Sequence, residues 1–202
     1  MNIWFMLWVF FSVFILGAFF WSLRILLKQK NSWKQFSKRH GLEYQQGGLM
    51  SSPTLMGTFR GYGVSVVSEP QLDTDGRTRR YRTVIQVEMK AGMPTEGVIA
   101  SARMKGIAAQ LDLQETFTPE NAEWDGGIYL RTKSAELLAP YFTDKRAKAM
   151  NALMTINGVN VLFIFNEKDT LMRFETPDPL EDVTRMERLI GKIIDAADIL
   201  SV

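Results

Sequence analysis

Four arginines crowd one short stretch of the chain: Arg77, Arg79, Arg80 and Arg82, with Tyr81 among them. Guanidinium groups are planar and permanently charged, and each can grip a phosphate or carboxylate through two parallel hydrogen bonds. At this spacing the four are a candidate site for a small phosphorylated ligand, an anionic lipid headgroup or an acidic partner protein. A solvated strand face accounts for them equally well, and Asp73 and Asp75 can neutralise part of the patch. A second group is Glu120, Glu123 and Asp125 around Trp124. Paired carboxylates run acid–base chemistry only in a cleft that drives their pKa values apart. A surface loop with a half-buried tryptophan explains the same residues. Asp73-Thr74-Asp75-Gly76 has the opening of a calcium loop, but glycine comes fourth rather than sixth and Val84 stands where a bidentate glutamate belongs.

The remaining inventory excludes more than it offers. There is no cysteine, so thiol nucleophiles, thiolate metal sites and disulfides are absent. The single histidine, His40, stands just before Gly41 and reads as a cation at a helix end, where the helix dipole favours it. One imidazole cannot build a multi-histidine zinc site within one chain. No phosphate-binding loop, nucleophile elbow, His-Glu-x-x-His or dinucleotide fingerprint occurs. The expectation is a protein with no catalytic residues, no metal and no cofactor, and hence not an enzyme.

These residues need elements to hold them. The alternation of Tyr81, Thr83, Ile85, Val87 and Met89 against Arg80, Arg82, Gln86, Glu88 and Lys90 predicts a strand over Arg79–Lys90 with one packed and one wetter face. Strands are also predicted at Leu42–Tyr44, Thr54–Arg60, Tyr62–Glu69, Gly127–Lys133, Asn160–Asn166 and Thr170–Thr176. Gly61 turns the second of these into the third, Pro70 closes the third, and Gln71–Thr78 is a polar loop. Val98–Met104 reads as either strand or helix. Helices are expected over Trp33–His40, capped by Asn31 or Ser32, over Ser134–Tyr141, and over Asp144–Thr155, capped by Thr143. A last helix is expected from Leu180 to Leu200, with Leu180, Val183, Met186, Ile190, Ile193, Ala197 and Leu200 as its apolar stripe. Hairpin-length links between strands predict an α+β domain over residues 42–202, with a mainly antiparallel sheet packed by helices on one face and a long amphipathic helix at the end.

Ahead of that domain lies an apolar run. Ile3–Trp21 has nineteen residues without a charge, and Ser12 is its one polar side chain. As a helix it would be about 28 Å long, close to the roughly 30 Å hydrocarbon core of a bilayer. Trp4 and Trp21 stand near its ends, where indoles favour the interface. A cleaved signal peptide would need a basic start, a shorter apolar stretch and a small-residue cleavage site, which this run lacks. Residues 1–23 are therefore expected to be a transmembrane helix acting as a signal anchor. Residues 24–41 follow as a basic juxtamembrane segment.

Charge sets the expected orientation. Of 24 Lys and Arg and 22 Asp and Glu, six basic and no acidic residues fall in the first forty positions, leaving 18 against 22, near −4, for the rest. Arg24, Lys28, Lys30, Lys34, Lys38 and Arg39 follow the span, which marks the cytoplasmic side and predicts contact with anionic headgroups. The N-terminus should face outward. An acidic domain is a poor partner for nucleic acid. Ala18 and Ser22 form a small-x-x-x-small pair that allows pairing with a second copy as a homodimer.

Lys38-Arg39-His40-Gly41-Leu42-Glu43-Tyr44, followed by Gly57-Thr58-Phe59-Arg60-Gly61, resembles the opening of uncharacterised bacterial single-span membrane-anchored proteins. The resemblance implies a bacterial inner-membrane setting and no known activity. The leading expectation is a membrane-anchored, non-enzymatic interaction or accessory domain facing the cytoplasm, with the bilayer and an unidentified protein as partners. The alternative is a lipid- or small-ligand-binding domain that uses the Arg77–Arg82 strand near the membrane.

Overall fold

A computed structural model describes residues 2–48, 50–72, 79–120 and 124–201. Its first element is one unbroken helix, α1, Ile3–His40, of 38 residues and therefore about 57 Å long. Asn2 caps it, its side-chain oxygen accepting from the Trp4 amide, and Gly41 ends it. The helix does not restart at Asn31 or Ser32 as the sequence predicts. Gln29, Ser32, Trp33, Phe36 and Ser37 recur at helical spacing and are all buried, so packing carries the helix straight through two residues that favour caps. The N-terminal part of α1 is long and apolar enough to cross a membrane, and none of that window is buried. Its C-terminal part is built into the domain.

The strands are β1 Glu43–Gln45, β2 Thr54–Phe59, β3 Tyr62–Leu72, β4 Arg79–Met89, β5 Gly97–Ala100, β6 Glu115–Thr116, β7 Tyr129–Thr132, β8 Asn160–Phe165 and β9 Thr170–Thr176. Among the described residues they form one sheet in the order β1-β2-β3-β4-β9-β8-β5-β7-β6, with every pairing antiparallel. The β2–β3 hairpin turns on Arg60 and Gly61, both at positive φ (51° and 89°), the backbone that a two-residue hairpin turn requires. The other helices are α2 Lys105–Ala108, α3 Ala135–Leu138, α4 Asp144–Met154 and α5 Val183–Leu200. Thr143 caps α4 and Asp182 caps α5. The chain is thus α+β.

α5 lies between α1 and α4, and the three cover one face of the sheet. Between them and the sheet sits the main core, with Trp33, Phe36, Leu55, Ile85, Phe163, Phe174, Ile190 and Ile193 all fully buried or nearly so. Val98–Met104, ambiguous in sequence, splits into β5 and a 3-10 turn at Ala102–Met104. That turn and α2 cross to the opposite face, where Met104 and Ala108 cover Val98, Ala100 and Leu162. Pro70 does not close β3, which runs two residues further and pairs Pro70 with Tyr81. The β2–β3 pairing stops at Leu55 and Val66, so β3 is a sheet edge at Pro70 and tolerates a residue without an amide proton.

Candidate functional site

The β3–β4 ladder outruns its neighbours. β2 leaves β3 at Val66, and β9 leaves β4 at Thr83, so residues 67–72 and 79–82 continue as a two-stranded ribbon beyond the sheet. Arg79, Arg80 and Arg82 belong to this ribbon, paired with Leu72, Gln71 and Glu69 respectively. Arg77, with Asp73-Thr74-Asp75-Gly76, lies outside the described residues. Strand alternation sends Arg82 and Val84 to the sheet face away from α1, α4 and α5. There they line a small cleft of about 240 Å³ with Glu69, Arg173, Glu175 and Ile107. Arg173 is held from both sides, donating to Glu69 at 2.6 Å and Glu175 at 2.8 Å. Burial pulls its guanidinium down, and these hydrogen bonds more than offset the burial, leaving it above its ordinary value. The Arg82 face is thus already laced with carboxylates.

Tyr81 and Thr83 point the other way, toward the root of α1. Thr83 donates to the Asp178 carbonyl at 2.7 Å, while Tyr81 is 64% exposed. They line a cleft of about 510 Å³, the largest of those described. One wall is α1, through Ser22, Ile25, Leu26 and Gln29, an i, i+3, i+4, i+7 set on one helix face. Met50, Ser51, Ser52, Pro53 and Thr54, with Pro177 and Pro179, supply the rest of the lining together with β3 and β4 residues. Among the described side chains that line it, none is charged. Gln29 is only 4% exposed, faces this space, and has no hydrogen-bond partner among the described residues. A nearly buried primary amide carries donors and an acceptor that ordinarily find partners.

The basic residues after the apolar run divide by environment. Arg24, Lys28, Lys34, Lys38 and Arg39 are exposed. Lys28 stands 4.0 Å from Glu181, and Arg39 donates to Glu187 at 2.9 Å. Lys30 departs from the expected outward set: it is buried, with Nζ on the Gly48 carbonyl at 2.6 Å. It shares the inward face of α1 with Trp33, whose indole donates to the Pro179 carbonyl at 3.3 Å. His40 closes α1 between the rings of Phe36 and Phe59, at 4.6 and 4.7 Å, with Nε2 3.3 Å from Glu187.

The acidic loop is only partly within view. Glu120 is exposed and Glu123 lies outside the described residues. Trp124 is half-buried with its ring 5.5 Å from Phe142, and Asp125 accepts from the Gly127 amide to close a turn. Among the described residues, no three acidic or imidazole side chains gather where a metal ion could sit. The cleft at the root of α1 was missed by sequence reasoning. Ser22, Gln29 and Met50 are unremarkable types that meet only in space, and the one local signal was the helical spacing of Ser22, Ile25, Leu26 and Gln29.

No protein-family model matches the chain, and no curated protein matches it either. The resemblance of the Gly41–Gly61 stretch therefore stays a likeness between short segments.

Proposed function

We propose that the protein is a single-pass membrane protein whose α1 holds a non-enzymatic interaction domain against the cytoplasmic surface of a bacterial inner membrane. One observation carries the reading: the same unbroken helix is exposed and apolar through its first part and buried in the domain core from Gln29 onward. A bare apolar helix in water would carry a large hydration cost, which a bilayer removes. The helix is continuous, so the domain cannot swing away on a flexible linker, and the basic residues at its root favour the cytoplasmic side. Alkaline carbonate extraction of membranes, followed by protease digestion of inverted and right-side-out vesicles, tests it. The chain should pellet with membranes and lose its domain only in inverted vesicles. Release into the soluble fraction would refute anchoring. Capture from detergent-solubilised membranes that recovers no partner would count against the interaction role.

A second reading places the arginine ribbon on anionic lipid. It is supported by Tyr81, which lines the same cleft as Ser22 and Ile25 and so brings the ribbon beside the root of the helix. Exposed aromatic rings with neighbouring arginines suit a bilayer interface. Flotation with vesicles containing phosphatidylglycerol should weaken in the Arg80→Ala, Arg82→Ala double variant, and unchanged flotation would remove this reading.

A further inference from the structure

We propose that the cleft at the root of α1 holds one phospholipid of the surrounding bilayer, its acyl chain against Ile25 and Leu26 and its ester region at Gln29. The inference rests on the membrane reading above. The lining changes character along α1: Ser22 is exposed, Ile25 and Leu26 are half-buried, and Gln29, one turn further, is the first buried polar side chain. The apolar character of α1 runs past Trp21 through Leu23, Ile25, Leu26 and Leu27, with Arg24 long enough to reach the headgroups; a tilted helix thus sets Ile25 and Leu26 against acyl chains and Gln29 at the depth of the glycerol esters. The cleft of about 510 Å³ is within the range of small-molecule sites and opens beside that helix. Gln29 supplies what an ester needs: its Nε2 donates to the ester carbonyl, which satisfies an amide with no partner among the described residues. Among the described side chains that line the cleft none is charged, so this lining suits the uncharged part of the lipid.

The full chain is reconstituted in vesicles of phosphatidylcholine, or of phosphatidylcholine with phosphatidylglycerol, carrying a diazirine on one acyl chain. After illumination, adducts are mapped by mass spectrometry. Adducts are expected on residues 3–21 and also on Met50–Thr54 and Pro177–Pro179, in both lipid mixtures. Ser22→Trp and Ser52→Trp, which fill the cleft, should each cut the second set at least threefold and leave the first unchanged. Gln29→Met should lower the second set as well. Cleft adducts that persist in both tryptophan variants, or that require phosphatidylglycerol, would overturn the proposal. So would adducts confined to residues 3–21, with anchoring left standing. Absence of adducts on residues 3–21 would instead overturn anchoring, and this inference with it.

Discussion

Trp33 and Phe36 tie the long apolar helix to the domain. Both are fully buried, and the Trp33 indole reaches the Pro179 carbonyl, at the far end of the chain from its own helix turn. Removing such a ring leaves a cavity and strips its contacts, so Trp33→Ala or Phe36→Ala should lower stability by about 3–5 kcal/mol, read from chemical unfolding in detergent. Tyr141 makes the corresponding link at the other end of the helix layer. Its hydroxyl donates to the Leu200 carbonyl at 2.6 Å. Burial pushes the phenol up to about 12 from 10.0, and the Arg146 guanidinium over its ring pulls weakly the other way. The folded state therefore holds this proton more tightly than the unfolded chain does. The stabilisation is complete below pH 10 and is lost as the pH rises toward 12. Tyr141→Phe should lose about 1 kcal/mol at neutral pH and show a flatter alkaline decline, measured by unfolding at a series of pH values. At this scale the sequence showed the arginines and His40 plainly and Gln29 not at all. Charge is visible in one letter, whereas a missing hydrogen-bond partner exists only once Gln29, Met50 and Pro177 share a space.

Elements with a strong period were legible, and elements decided by distant contacts were not. β4 announced itself by alternation, the β8–β9 hairpin by its apolar run and polar turn, and α5 by its stripe, and all three stand close to where the pattern put them. α2 and β6 have four and two residues, too short for any period to show. The break expected at Asn31-Ser32 failed for a different reason: local cap preference, about 1 kcal/mol, was outweighed by the buried stripe from Gln29 to Ser37. β5 hung on a close approach that sequence hides. A Cβ added at Gly97 would stand 2.2 Å from the Phe165 ring and 2.8 Å from the Arg131 carbonyl. Phe165 pairs with Gly97 across the β5–β8 ladder and fills the space of the missing side chain. Gly97→Val should cost about 3 kcal/mol or more and detach β5 from β8 first, seen as early amide exchange at residues 97–100.

The whole molecule is a helix that changes environment partway along, and this makes the site of truncation decisive. A chain beginning at Leu23 keeps Gln29–Ser37 and the core that they complete, so it should unfold cooperatively. A chain beginning at Gly41 loses Trp33 and Phe36 together and uncovers Leu55 and Phe59, so it should aggregate or unfold without a sharp transition. Thermal melts of the two separate these outcomes, and equal melts would mean that α1 is an appendage rather than part of the fold. Continuity itself can be cut without touching either end. Leu27 is exposed on α1 between the apolar part and the buried part. Proline there removes a backbone hydrogen bond and clashes with the preceding turn, at about 3 kcal/mol or more. With α1 in a membrane as proposed, Leu27→Pro should leave the chain there, because Ile3–Trp21 alone is long enough to span. The hinge should become a protease site between residues 24 and 29 that the parent chain resists. If both chains are cut there at the same rate, the helix does not act as a rigid post between its apolar part and the domain.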